Sequence, residues 1–181
     1  MFKFCNIYSI LSIIGYLFDY IYIMSEKLQA GTKAPSFQAL DSNEKSVSLE
    51  DFASSWLVLY FYPKDDTPGC TVEANDFTSL LSEFELLNAK VVGVSPDSIK
   101  SHCKFIEKHN LTITLLSDLD HQVAESYGAW GVKKFMGKES IGIIRSTFLI
   151  DPSGIIAKSW YSVKTNGHAQ SVLDALKNAL K

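Results

Sequence analysis

Residues 56–62, Trp-Leu-Val-Leu-Tyr-Phe-Tyr, form an unbroken apolar and aromatic run, the pattern of a strand buried on both faces. Pro63 ends the run, and a polar turn stretch from Lys64 to Gly69 follows. From about Cys70 the period changes. Phe77, Leu80, Leu81, Phe84 and Leu87 recur every three or four residues and give a helix one core-facing stripe. Lys90 to Ser95 read as a second strand. After Pro96, either Asp97 or Ser98 is placed to cap a helix running to about His109, with Ile99, Cys103 and Ile106 on its core face. Ile113 to Leu116 make a third strand, and Gly128 stops a short helix that begins near His121 and reaches Tyr127. Arg145 to Ile150 and Ile155 to Ser162 are two arms of a hairpin around the turn Asp151-Pro152-Ser153-Gly154. A last helix, Gln170 to Leu180, carries Val172, Leu173, Leu176 and Leu180 on one side.

The order β-α-β-α-β-α, hairpin, α predicts an α/β domain. Its one mixed sheet is parallel where helices join the strands and antiparallel at the hairpin, with helices on both faces. The 181 residues show no repeat and no linker, so residues 28–181 are expected to form a single domain. The first 24 residues stand apart. Ile7 to Ile23 are almost continuously apolar, near the lower end of the about 17–25 residues of a spanning helix, and Asp19 interrupts them. Only Lys3 precedes the run, and no Ala-x-Ala comes before Met24. An upstream stretch ahead of a start at Met24, a membrane anchor and a cleaved signal all fit this segment. The expected location is cytoplasmic, with membrane anchoring only if residues 7–23 are retained.

A formal net charge of -3 and the lack of a basic stripe argue against nucleic-acid binding. The four histidines make no i, i+4 pair around a glutamate, so no metal or other cofactor is expected. The three cysteines, Cys5, Cys70 and Cys103, are too few and too widely spaced for a secreted disulfide framework. No Cys-x-x-Cys pair is present, which removes a zinc knuckle and a thioredoxin-type dithiol.

Cys70 is the position with chemistry. It stands where a buried strand ends and a helix begins, behind a loop holding two prolines and a glycine. Unpaired backbone N–H groups and the positive end of a helix dipole favour a thiolate there. A buried structural cysteine is the competing reading. The carboxyl end of a strand in an open α/β sheet, where ligands bind, favours the reactive one.

Pro63-x-x-x-Thr67-x-x-Cys70 resembles the active-site signature of the peroxiredoxins. The longer run from Phe61 to Ala74 is similar to the peroxiredoxin Q, or bacterioferritin comigratory protein, subfamily. Further matches are Gly31 to Phe37, Val94 to Ser98, Leu116 to Asp118 and Arg145 to Asp151; nothing before Met24 has a counterpart. The resemblance implies a thioredoxin-like fold and a thiol-dependent peroxidase acting on hydrogen peroxide and organic hydroperoxides. It implies that Cys70 attacks a peroxide oxygen and becomes a sulfenic acid. By the same resemblance Thr67 bonds the peroxide, Arg145 holds the thiolate and the developing anion, and Pro63 shields the cysteine. Glu73 has a supporting role. A turn residue at Thr67 and a surface-paired Arg145 are the plain alternatives. Trp130 and Phe135 either line the mouth of the site or simply pack.

Many relatives of this kind carry a second cysteine five residues after the first, where this chain has Asn75. Within the domain Cys103 remains, in the context Ser101-His102-Cys103-Lys104-Phe105, similar to members whose resolving cysteine lies on this helix. A bridge needs Cα atoms within about 7 Å, which implies that the first turn of the Cys70 helix unwinds. The competing reading places Cys103 in the core between Ile99 and Ile106, as a small buried hydrophobe; the cycle would then use one cysteine and an external thiol. Cys5 lies outside the domain. The expected partners are a hydroperoxide and thioredoxin or a similar thiol donor, and the expected state is a monomer. A thiol–disulfide oxidoreductase on the same fold and a membrane-tethered redox sensor are the alternative functions. The missing Cys-x-x-Cys opposes the first, and the presence of Thr67 and Arg145 opposes the second.

Overall fold

The computed structural model describes residues 27–135 and 138–181. The apolar segment of residues 1–24, and Cys5 with it, lies outside the described residues. The strands are β1 (Gln38–Asp41), β2 (Ser46–Ser48), β3 (Trp56–Phe61), β4 (Ala89–Ser95), β5 (Thr114–Ser117), β6 (Trp130–Phe135), β7 (Lys138–Ile143), β8 (Ser146–Ile150) and β9 (Ile156–Tyr161). The helices are α1 (Pro68–Leu86), α2 (Ile99–His109), α3 (Gln122–Ser126) and α4 (His168–Ala179), with a 3-10 turn at Leu49–Phe52.

Seven strands form one mixed sheet in the order β2-β1-β5-β4-β3-β8-β9. β3, β4 and β5 run parallel, as the helical crossovers require, and the other pairings are antiparallel. β3 is central and buried on both sides, as its unbroken apolar run predicts. Its alternate residues feed two cores. Val58, Tyr60 and Tyr62 pack with Phe77 and Phe84 of α1, Phe105 of α2, and Val172, Leu173 and Leu176 of α4. Leu57, Leu59 and Phe61 pack on the other side with Phe37, Val123, Tyr127 and Phe148. Helices cover both faces, but unequally: three long ones on one, the short α3 and irregular chain on the other.

Two strand pairs escape the reading of the sequence. β1 and β2 are four and three residues long and largely polar; β1 pairs with β5 and carries β2 at the sheet edge. β6 and β7 form a separate two-stranded sheet, with Val132 and Ile141 exposed opposite each other. Neither pair alternates cleanly enough for period-two patterning to find it. The brevity of α3 has a local cause. The buried carboxylate of Asp118 accepts the N–H groups of Val123 (3.1 Å) and Ala124 (2.8 Å) at its start. Gly128, at φ 62°, follows its other end.

Gly93, in the middle of β4, is a requirement of packing. A Cβ there would stand 2.7 Å from the Cζ and Oη atoms of Tyr60 and 2.9 Å from Leu115 Cδ2. Tyr60 has no freedom to yield, because its ring stacks on Tyr62 and Phe77 at centroid distances of 5.5 and 4.8 Å. Gly93→Ala is therefore expected to destabilise the fold by about 1–3 kcal/mol through overpacking. Urea denaturation checks this; an unchanged midpoint would show that the ring moves freely.

Candidate active site

The strand ladder reaches one residue past β3, where Tyr62 N–H donates to Val94 O at 3.1 Å. Pro63 has no N–H with which to continue it. The chain turns through residues 64–66 and enters α1 with Thr67 as the extended N-cap residue (φ -91°, ψ 149°) and Pro68 in the first helical position. Cys70 is the third residue of the helix. The carbonyl of Thr67 accepts the N–H of Thr71 at 2.9 Å, so the N–H groups of Gly69 and Cys70 precede the helical ladder. They and the helix dipole lie beside the Cys70 side chain, itself only 2% exposed.

Arg145 closes the arrangement from β8. In the antiparallel register Phe61 faces Ser146, which sets Arg145 next to the point where β3 ends. Its Nη2 donates to Cys70 Sγ at 3.2 Å, and its Nη1 donates to Glu73 Oε2. Glu73 is fully buried and lies one helical turn after Cys70. One guanidinium therefore spans the first turn of α1, gripping a carboxylate and a sulfur. Burial pushes the Glu73 carboxyl up to about 7 against the pull of Arg145. Burial works against the Arg145 charge as well, but Glu73 and Cys70 outweigh it and hold the arginine above its ordinary value. Arg145 is thus the fixed cation of the site.

Two polar atoms beside this site have no protein partner. The Tyr60 hydroxyl and Glu73 Oε1 are both buried without a hydrogen-bond partner. Behind Arg145, the His168 ring Nε2 lies 2.8 Å from Thr147 Oγ1. Phe77 and Trp160 meet the His168 ring edge to face. Burial, and then the Arg145 charge, lower the His168 imidazole to about 4.

A second polar cluster holds the loop. Asp65, 6% exposed, accepts from the Tyr62 hydroxyl at 2.7 Å and faces His102 Nδ1 at 2.9 Å. Its own N–H donates to Asp97 Oδ2 at 2.8 Å. Asp66, in a left-handed conformation at φ 55°, accepts from Lys108 Nζ (2.6 Å) and faces His109 Nε2 (2.8 Å).

Of the residues singled out from the sequence, the fold brings Cys70 and Arg145 into contact, with Glu73 beside them. Pro63 is half-buried at the start of the loop. Thr67 donates its hydroxyl proton to Lys64 O at 3.0 Å, leaving its oxygen lone pairs as acceptors. The placement of Cys103 in the core is corrected. Cys103 is exposed, its S–H donating to Ser42 O at 3.2 Å in the β1–β2 turn. The buried residues of α2 are His102 and Phe105, so the inward face is turned by about one residue. A fully buried histidine carries that face, and counting it as polar hid the phase. Ile106 is partly buried against the core; Ile99 is half-buried. Trp130 stacks on His121 at 3.7 Å between centroids, whereas the side chain of Phe135 lies outside the described residues. Asp65, His102 and Thr147 fall within the matched runs but were given no role, and His168 was not marked by any motif. The 102, 105, 109 spacing was the available signal for His102. Among the described residues no cluster of His, Cys, Asp or Glu side chains is arranged to hold a metal, and no helix is long and apolar enough to cross a membrane.

A cysteine at a helix start after a central strand, met by an arginine from the neighbouring strand of a mixed sheet, defines a thiol-reactive protein of thioredoxin-like fold. The sequence model of the AhpC/TSA family matches residues 30–159. Peroxiredoxin Bcp of Bacillus subtilis is 47% identical over 151 residues, covering 83% of this chain and 96% of that protein. Peroxiredoxin Bcp of Escherichia coli K12 is 44% identical over 150 residues, with coverage of 83% and 96%. A structure of Xanthomonas campestris peroxiredoxin Q superposes with a TM-score of 0.77 at 41% identity, covering 87% of this chain and 99% of that one. The chain belongs to the AhpC/TSA family, among the peroxiredoxins of the Q or Bcp type. It is a thiol-dependent peroxidase, an oxidoreductase.

The lowered His168 value fixes a sign. Between about 6.5 and 4 the unfolded chain takes up a proton on this residue that the native state refuses, so acid weakens the fold across that window. His168→Gln retains a polar partner for Thr147 and has no such proton. Wild type should lose stability relative to this variant by up to ~3 kcal/mol as pH falls from 6.5 to 4, and no further below. Urea midpoints compared at each pH measure the difference; parallel curves would show that His168 titrates normally.

Proposed function

We propose that Cys70 is the peroxidatic nucleophile of this peroxidase, and that Arg145, Thr67 and Pro63 complete its site. The observation that carries the reading is the 3.2 Å contact from Arg145 Nη2 to Cys70 Sγ at the N-terminus of α1. The contact matters twice. It favours the sulfur anion before attack, and it supplies a fixed donor for the charge that develops as the O–O bond breaks. Thr67, its proton committed to Lys64 O, offers an acceptor to the hydroperoxide O–H. Pro63 walls the strand end. The Cys70 sulfur forms an S–O bond with one peroxide oxygen, and the other oxygen leaves as hydroxide or alkoxide and takes up a proton. Hydrogen peroxide and organic hydroperoxides are the substrate class. The alkyl peroxide reduction studied in the bacterioferritin comigratory protein of Xanthomonas campestris, a structural relative at 40% identity, supports the organic ones.

Asn75 rules out a thiol one turn along α1. The exposure of Cys103 supports a resolving role for it: its thiol attacks the sulfenic sulfur, water leaves, and a Cys70–Cys103 disulfide forms for thioredoxin or a similar dithiol to reduce. The two thiols have separate neighbours, Arg145 and Ser42, and bridging would release both contacts, with the start of α1 unwinding to bring Cys70 out. We read the working unit as a monomer; the family match at residues 30–159 falls within the 28–181 domain. We place the protein in the cytoplasm, as the sparse, widely spaced cysteines suit, and the net charge of -3 gives nucleic acid no footing.

Cys70→Ser should abolish peroxide consumption with the fold intact, since serine is nearly isosteric but has no accessible anion at neutral pH. A variant retaining more than about a few per cent of turnover would remove Cys70 from the role. Cys103→Ser should leave the first oxidation of Cys70 as fast as before yet stop recycling by thioredoxin, with sulfinic acid accumulating on Cys70. Intact-mass analysis after one equivalent of peroxide should show loss of two hydrogens in wild type and not in this variant. Full thioredoxin-coupled turnover by Cys103→Ser would place the protein in the one-cysteine class.

A further inference from the structure

The active-site loop is bound more firmly to α2 than to the helix it introduces. Residues 64–66 separate the end of β3 from the Thr67 cap, and two of the three are carboxylates that face α2. Asp66 grips the C-terminal end of α2 at the surface, through Lys108 and His109. Asp65 grips its middle, out of water. There the His102 ring has no exposed surface and Asp65 Oδ2 lies 2.9 Å from Nδ1, with Oδ1 at 3.2 Å. Nδ1 must carry a proton to face both oxygens. His102 Nε2 is buried with no partner. The ring's polar contacts all converge on Nδ1, where the Tyr62 hydroxyl also lies at 3.5 Å, and its other nitrogen does without. A side chain kept under that penalty has a task at Nδ1.

That task is visible along the chain. Asp65 is fixed at three points: its carboxylate by His102 and the Tyr62 hydroxyl, and its backbone N–H by Asp97, which Ser95 Oγ in turn holds at 2.8 Å. Two residues later comes the cap of α1, and three after that Cys70. The pose of Cys70 against Arg145 therefore depends on where Asp65 sits.

We infer that His102 is a positioning residue of the peroxidase site, acting through Asp65 to hold the Lys64–Thr67 turn and the first turn of α1 in the pose where Cys70 meets peroxide. The inference rests on Cys70 being the nucleophile. When the latch is lost, the buried Asp65 carboxylate keeps only the Tyr62 hydroxyl as a side-chain partner and moves toward water, drawing the turn with it. The Asp97 and Asp66 contacts remain, so the loop loosens and the fold survives. Two properties of Cys70 should then change in opposite senses. Attack on peroxide needs the closed pose; labelling of a thiol that is 2% exposed needs an open one.

The test uses the full chain, with the Cys70 peptide followed by rapid quench and mass spectrometry so that Cys103 does not interfere. In His102→Leu the second-order rate of Cys70 sulfenic acid formation should fall about ten- to a hundredfold. Iodoacetamide labelling of Cys70 should rise about tenfold with the opening of the turn. His102→Asn, whose amide N–H can stand where Nδ1–H stood, should recover most of both. Asp65→Asn keeps the side-chain shape but turns the acceptor pair into a mixed amide. It should move both rates the same way as His102→Leu, and it decides the matter if the leucine variant fails to fold. Wild-type rates in folded His102→Leu or, failing that, in Asp65→Asn, with only the melting temperature lowered, would overturn the positioning role. If peroxide leaves Cys70 unoxidised in wild type, the nucleophile assignment fails, and this inference with it.

Discussion

A partly buried cation needs a partner, and the site is organised around satisfying Arg145. Its guanidinium leaves water at the edge of β8, so the fold supplies a carboxylate from the first turn of α1, at Glu73. The pairing fixes the strand to the helix. With Nη1 occupied by Glu73, Nη2 is directed at the side chain one turn earlier, which is Cys70. The contact that matters chemically follows from the contact that is needed electrostatically. The planar guanidinium permits this division of labour, since it presents donors along two directions at once.

The rest of the neighbourhood preserves that geometry through close packing. Tyr60 packs under the helix start between Tyr62 and Phe77, and Gly93 leaves the space for its ring. His168, held toward its neutral form by burial and by the nearby arginine, adds no second cation behind the first. The polar contacts of the turn point away from the pocket, to α2 and to Asp97, so Cys70 is carried on a loop secured from behind.

This design contains a conflict. A cysteine poised for attack is buried against Arg145, whereas thiol exchange needs a sulfur that a second thiol can approach. Cys103 stands at the surface of α2, bound to the β1–β2 turn, on a different side of that helix from His102 and Phe105. The helix that carries the exposed thiol is also the helix that latches the active-site turn.

Much of this could be read without a structure. The unbroken run at residues 56–62 required a central strand, Pro63 ended it, and the three-four spacing after Cys70 required a helix with Phe77 and Phe84 inward, as found. Cys70 at that junction and the Arg145 match followed from local order and motif, which depend on neighbours in the chain. What escaped depends on neighbours in space. β1 and β2 are too short and polar to declare themselves, and acquire a role only by pairing with β5. The inward face of α2 was misjudged because His102 is polar by type but buried by partnership with Asp65, 37 residues away in the chain. Cys103 is apolar by type yet exposed, because the phase set by His102 and Phe105 turns it outward. Periodicity records what each residue prefers in water. Only the tertiary structure decides which polar groups find a partner that lets them leave it.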